Sequence, residues 1–288
     1  MVFNKVMEIV PESEWKDLFE ELVKLKGTAM VIGATDSGKS TLAMYLIKRL
    51  LSENIRVSLV DSDVGQSSLG LPGTISMKVF RNKKDLEDSS FDKMSFVGTV
   101  NPAKKISLII DSTKRMSDIC RGKSDITLID TTGLISGNLG RALKIGKIKA
   151  IKPEHIIALQ RKDELEHILN LIEKIHIHRI RVSSMAKIRS REARIRYRKR
   201  KLGDYFNKAE IAEFLLHTNK ARFFYNNKPF SPKGGEFTEG TLIGLNHGED
   251  TMALGIVTEI PENSVIFRSP IKSLKKVNKV VFGDITIC

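Results

Sequence analysis

The sequence predicts an α/β protein, a mainly parallel sheet flanked by helices, followed by a small, mostly β C-terminal domain. Three observations predict it. Apolar runs of strand length alternate with segments of helical periodicity up to residue 206. Gly33-Ala34-Thr35-Asp36-Ser37-Gly38-Lys39-Ser40 has the spacing of a P-loop and lies between one such strand and one such helix, which makes the architecture that of a P-loop NTPase. From Arg222 onward, short alternating runs separated by turn signals replace that rhythm.

Residues 12–25 place Trp15, Leu18, Phe19, Leu22 and Val23 at helical spacing. Residues 28–32 are a buried strand, and Thr41 to Leu51 continue as a helix behind the P-loop. Residues 55–63 form a second strand that ends in acidic residues, and Leu71-Pro72-Gly73-Thr74 breaks regular structure. Residues 81–94 are polar and read as an exposed turn. Met94 to Asn101 read as a strand halted by Pro102, followed by a helix through Ile119. Asp125 to Asp130 is a buried strand, and a helix spans Gly140 to Ile148. A strand over 155–160, an amphipathic helix over 163–175 and a short strand from His178 complete the alternation. Residues 187–201 read as a basic helix. We place the domain boundary at 206/207, so that 1–206 and 207–288 are the two units, and expect one helix at 208–216 before the β segments.

With 288 residues, 41% hydrophobic and 28% charged, the composition is that of an ordinary globular protein. No apolar run is long enough to span a bilayer, and the early acidic residues do not fit a cleavable leader. Two cysteines, Cys120 and Cys288, make neither a disulfide framework nor a zinc site. These features place the protein in the cytoplasm, off the membrane. The formal net charge is +14, and residues 187–201 carry nine basic residues against Glu192. Ile188, Ala193, Ile195 and Tyr197 interrupt that run, as in a folded helix rather than a basic tail; such a helix is either a solvated basic face or a contact for a polyanion.

A P-loop gathers backbone N–H groups and the positive end of a helix on a polyphosphate. Gly33, Thr35, Asp36, Ser37, Gly38, Lys39, Ser40 and Thr41 are therefore the expected nucleotide-binding residues, with Lys39 at the β- and γ-oxygens and Ser40 at Mg²⁺. ATP is the expected donor, since no Asn-Lys-x-Asp motif is present and Ala158 to Asp163 occupies the comparable strand end. Two strand-end carboxylates, Asp63 and Asp130, face the phosphates in such a sheet, and either could contact the metal or orient an acceptor hydroxyl. Arg194 and Arg198 share a helix face four residues apart, and Arg189 stands at the helix start. A mobile arginine helix of this kind stabilises transferring charge and excludes water. The six histidines lack the spacing of a metal site, and Trp15 reads as a packing residue.

Together these residues resemble the polynucleotide 5′-hydroxyl kinase family, archaeal and eukaryotic. The resemblance runs through Thr35-Asp36 inside the P-loop, Asp63-Val-Gly-Gln66-Ser-Ser, Pro72-Gly73-Thr74 and Phe96 to Pro102. It continues with Thr131-Thr132-Gly133, the arginine helix to Phe206, and the segments at 240–245 and 253–257. It implies transfer of the ATP γ-phosphate to the 5′-hydroxyl of RNA, with DNA as a second acceptor, and names no protein partner. It implies Asp63 as base and metal contact beside Ser40, and Lys39, Arg189 and Arg194 as catalytic. Gln66, Pro72, Gly73, Thr74, Thr132, Gly133 and Arg198 would bind the acceptor. Leu134 departs from the Trp that eukaryotic members carry there for base stacking. Two other classes use the same loop. One is a nucleotide-binding, RNA-associated switch or scaffold without transfer, and the other a small-molecule kinase or ligase, which leaves the basic run unexplained.

Overall fold

The computed structural model describes residues 11–208, 210–233, 235 and 237–287. The first unit begins with α1 (Ser13–Leu25), β1 (Gly27–Gly33), α2 (Lys39–Ser52) and β2 (Val57–Ser62). It continues with β3 (Thr74–Phe80), β4 (Lys93–Phe96), α3 (Ile106–Cys120), β5 (Ile126–Thr131) and α4 (Gly137–Ile151). It closes with β6 (His155–Gln160), α5 (Glu166–Leu169), β7 (His176–Arg181) and α6 (Arg191–Lys208).

These strands make one sheet in the order β4-β3-β2-β5-β1-β6-β7. The strands β2, β5, β1, β6 and β7 are parallel, and β3 and β4 add antiparallel at one edge. Its central strands β2 and β5 are buried along their whole length because both faces are covered. Ala29 and Val31 of β1 join the core under α1 and α2, whereas Met30 and Ile32 point to the core on the opposite face, which includes residues of α3 and α4. Trp15 is buried against Tyr45, with ring centroids 5.3 Å apart, as a packing residue would be.

The second sheet is built from β8 (Ala212–His217), β9 (Arg222–Tyr225), β10 (Lys228–Pro229), β11 (Thr241–His247), β12 (Asp250–Glu259), β13 (Ser264–Ser269) and β14 (Lys279–Thr286). Its order is β10-β9-β14-β11-β12-β13-β8. One face holds its own core around Phe267 and Phe282. The other packs Leu242, Leu254 and Val281 against Leu71, Met94 and Phe96 of the first unit and Leu202 and Phe206 of α6. Polar ties reinforce that seam: Phe96 N donates to Thr251 Oγ1 at 2.8 Å, and Lys93 and Arg115 both reach Asp250.

Four sequence expectations need correction. Residues 74–80, directly behind the Leu71-Pro72-Gly73-Thr74 turn, form an additional strand, in which Ile75, Met77 and Val79 alternate with Ser76 and Lys78. The helix expected over 163–175 shrinks to α5, and Lys174 takes a left-handed φ of 60° ahead of β7. The helix expected at 208–216 is replaced at Ala212–His217 by strand β8, paired antiparallel with β13, so tertiary pairing overrides local propensity. Arg189 lies before α6 rather than on it. Among the described residues, no helix is long and apolar enough to cross a membrane.

Candidate active site

The carboxyl ends of β1, β2 and β5 lie side by side, so their trailing loops meet above the sheet. From β1 the chain enters the P-loop and then α2, whose first turn has no side-chain cap. Its leading N–H groups are thus left for an anion. Lys39 is buried, and its Nζ donates to Ala34 O at 2.6 Å, with Ser37 Oγ at 3.4 Å. Burial lowers the Lys39 pKa, against the pull of Asp130 and Asp63. Thr35, Ser40 and Thr41 are exposed on the same rim.

The tip of β2 is organised by Asp61, a residue the motif reading gave no role. Its Oδ2 accepts hydrogen bonds from Ser67 Oγ at 2.9 Å, Ser68 N at 2.6 Å and Leu69 N at 2.8 Å, and its Oδ1 accepts from Asp63 N at 3.1 Å. That fan of bonds curls residues 63–69 over the strand end. Asp63 Oδ1 accepts from Gly65 N and Gln66 N, both at 3.0 Å. Burial, then the neighbouring Asp61 charge, raises the Asp63 pKa. Asp130, in register with Asp61 at the tip of β5, accepts a 2.5 Å hydrogen bond from Ser40 Oγ at Oδ2, while its Oδ1 is buried without a partner. Burial and Asp61 raise its pKa as well. The carboxylate that meets Ser40 is therefore Asp130, where the sequence reading had paired Ser40 with Asp63.

Further orphaned atoms surround the same space. Gln66 Oε1, Thr132 Oγ1 and Arg194 Nε are all buried without a hydrogen-bond partner. In native structures such atoms are few, and a cluster of them marks a place where a polar ligand completes the set. Gly133 closes one side: a Cβ there would fall 2.5 Å from both Cα and N of Thr35, so only glycine lets this loop touch the P-loop. Leu134 is partly buried against the adjacent core.

The Pro72-Gly73-Thr74 turn forms a wall beside the Asp63 loop, Gly73 N donating to Val64 O at 2.8 Å. Thr74 is buried and its Oγ1 donates to Leu71 O at 2.7 Å, so this hydroxyl shapes the turn from within. Gly73 O accepts from Val97 N at 2.8 Å and Gly98 N at 3.0 Å, and Gly98 O in turn accepts from Asp284 N of β14 at 2.6 Å. The C-terminal sheet thereby backs this wall, in contact so close that a Cβ on Gly283 would sit 2.8 Å from the Phe96 ring.

The arginine helix lies over the site, tied to the P-loop at its start and to residues 67–70 midway along. Arg189 N and Arg194 Nη2 both donate to Asp36 Oδ2 of the P-loop, at 2.9 and 2.7 Å. Burial pushes the Asp36 carboxyl up, but these donors outweigh it and hold the pKa below its usual value. Tyr197 Oη donates to Ser67 O at 2.8 Å, and Lys201 Nζ donates to Ser68 O and Gly70 O at 3.0 and 2.9 Å. Burial, then Arg194, lowers the Arg198 pKa, with the Asp63 charge acting in the opposite sense. Beneath the strand tips stand two fully buried lysines of α4, Lys144 and Lys147, which no sequence motif had singled out. The signal was available: both fall on the apolar stripe that buries Leu143, Ile148 and Ile151.

The model of the family described as "mRNA cleavage and polyadenylation factor CLP1 P-loop" matches residues 33–208, which carry this whole constellation except the β14 contact. The chain belongs to that CLP1 P-loop family. Among its relatives is a polyribonucleotide 5′-hydroxyl-kinase of Pyrococcus horikoshii, 40% identical over 196 residues, or 68% of this chain and 54% of the relative. Another, from Methanocaldococcus jannaschii and named likewise, is 40% identical over 203 residues, covering 68% of this chain and 56% of the relative. A Danio rerio relative named polyribonucleotide 5′-hydroxyl-kinase Clp1 is 27% identical over 210 residues, covering 67% and 46%. The chain thus spans about half the length of the curated relatives it matches. The solved structure of Clp1p in a Clp1p–Pcf11p complex shares the fold, with a TM-score of 0.76 over 94% of this chain and 78% of that chain, at 11% identity.

Proposed function

We propose that this chain is an ATP-dependent polynucleotide kinase that transfers the γ-phosphate to a 5′-hydroxyl, with RNA as the principal acceptor and DNA as a second. The observation that carries this reading is the bond of Arg189 and Arg194 to Asp36, which sets the arginine helix over both the P-loop and the Asp63 loop. A nucleotide switch needs the first loop and has no use for a second carboxylate loop roofed by arginines. The names of the archaeal relatives support the same reaction class.

Lys39 and the first turn of α2 would hold the phosphates. Magnesium fits the residues present, because Ser40 Oγ and the orphaned Asp130 Oδ1 are hard oxygen donors beside the P-loop lysine. Ser40 and Asp130 would hold that ion, which when bound neutralises charge on the β- and γ-phosphates. Asp63 is the base toward the 5′-hydroxyl, and burial, which raises its pKa, makes it a stronger proton acceptor. Gln66 and the 72–74 turn bound the acceptor end, and Arg189, Arg194 and Arg198 neutralise charge that develops on the transferring group.

The deciding experiment offers γ-labelled ATP with magnesium to matched oligonucleotides bearing 5′-hydroxyl or 5′-phosphate ends, in RNA and DNA series. Label on the 5′-hydroxyl strand alone is expected. ATP hydrolysis without labelling of either strand would replace the kinase by the switch. Asp63→Asn should abolish transfer while leaving ATP binding within about threefold, because it removes the base and no phosphate contact.

A further inference from the structure

Lys144 and Lys147 are fully buried, and neither has a place in the chemistry just described. Their hydrogen-bond partners are neutral oxygens at the strand tips. Lys144 Nζ donates to Thr131 Oγ1 at 2.8 Å and Thr132 O at 2.5 Å, and Thr131 Oγ1 donates onward to Val31 O at 2.8 Å. Lys147 Nζ donates to Ser62 Oγ at 2.6 Å, and Ser62 Oγ donates to Asp130 O at 2.9 Å. One lysine therefore links β5 to β1, and the other links β2 to β5. These are the strands that deliver the P-loop, Asp63 and Asp130.

Burying an ammonium without a hydrogen-bonded carboxylate costs several kcal/mol, and a methionine would fill the same space without that cost. Burial accordingly drives Lys144 well below its ordinary pKa and Lys147 down to about 7. A helix that needed only to pack would not place two such groups on its apolar stripe. We propose that Lys144 and Lys147 are positioning residues of the phosphoryl-transfer site, fixing the tips of β1, β2 and β5 so that Lys39, Asp63 and Asp130 keep their mutual placement. The proposal rests on the kinase reading above. It adds a lysine pair that touches neither substrate and acts through Thr131, Thr132 and Ser62.

The test is a split of kinetic constants in Lys144→Met and Lys147→Met, measured with labelled ATP and a 5′-hydroxyl RNA. Each should lower kcat about 10- to 100-fold, the range for partners that orient functional groups, with both KM values within about threefold of wild type. Thermal midpoints should stay level or rise, which a merely structural role would not allow. Ser62→Ala combined with Lys147→Met should be no slower than Lys147→Met alone, since both break one linkage. Should a lysine variant fail to fold, Ser62→Ala and Thr131→Val, which remove the partners instead, should show the same loss in kcat. Wild-type transfer with both lysine variants, or both partner variants, within twofold of it would overturn the inference and leave the kinase reading standing. Wild-type protein that transfers no label would overturn the kinase reading first.

Discussion

Asp36→Asn tests the tie between the P-loop and the arginine helix with one atom changed. Asp36 Oδ2 accepts from both the Arg189 backbone N–H and the Arg194 guanidinium, and its side chain is only 9% exposed against 29% for Arg194. A hydrogen bond to a charged group contributes about 1.5–3 kcal/mol, and an asparagine retains a neutral acceptor in the same place. Partial exposure of the arginine trims the difference further. The substitution should therefore cost the lid about 1–2 kcal/mol, which raises its open fraction about 5- to 30-fold. Global stability should hardly move, because Tyr197 and Lys201 still pin α6 to residues 67–70.

Hydrogen exchange across residues 187–201, read beside single-turnover transfer, checks this directly. Faster exchange confined to that segment and about tenfold slower transfer are expected, at unchanged thermal midpoint. The sign with pH is also fixed. Because the folded Asp36 pKa is depressed, the tie is complete above the ordinary carboxylate pKa of about 3.9 and is lost only as pH falls through the lower folded value. Lid exchange should thus show no Asp36-dependent step between pH 6 and about 8. Wild-type exchange and wild-type transfer in Asp36→Asn would refute the assignment of Asp36 as the link.

Three further outcomes follow from the same geometry. Gly133→Ala forces a methyl against the Thr35 backbone, an overpacking of about 1–3 kcal/mol that should displace the P-loop and weaken nucleotide binding, read by calorimetry. Gly283→Val pushes on Phe96 and Gly98, which back the 72–74 turn; it should raise KM for the 5′-hydroxyl strand several-fold while KM for ATP holds. Lys147 sits at about 7 in the folded chain against about 10.4 when free, so the unfolded chain binds more protons between those values. Wild-type stability should consequently climb from pH 7 to 9 more steeply than that of Lys147→Met in urea titrations, and parallel slopes would contradict the burial of a protonatable amine there.

The first sheet was legible where periodicity and punctuation agreed, as at the P-loop strand and its helix. It was illegible where pairing decided the outcome: β3 and β8 exist because an edge of each sheet accepts them, and their own residues suit several conformations. The site divides along the same line. The strand ends put Asp63 and Asp130 in view, but register, which no single strand encodes, sets Asp130 against Ser40 and Asp61 beneath the 63–69 loop. Lys144 and Lys147 look like surface residues in a list and acquire meaning only on a helix whose buried face is known.

That pair also bears on why so much positive charge gathers at 187–201. At the strand tips, three lysines, Lys39, Lys144 and Lys147, stand among three carboxylates, Asp61, Asp63 and Asp130. Burial lowers the pKa of each of these lysines and raises that of Asp63 and Asp130, so this centre offers little positive charge to a polyphosphate or to a second anionic strand. On the proposed reading, the attraction would come from the N–H groups of α2 and from the nine basic residues of 187–201. Asp36 holds Arg194 at the P-loop rim, which in the proposed kinase would keep one of those cations beside the nucleotide before an acceptor arrives. On the proposed kinase reading, the basic segment would supply charge to the site itself rather than merely attract nucleic acid to the surface.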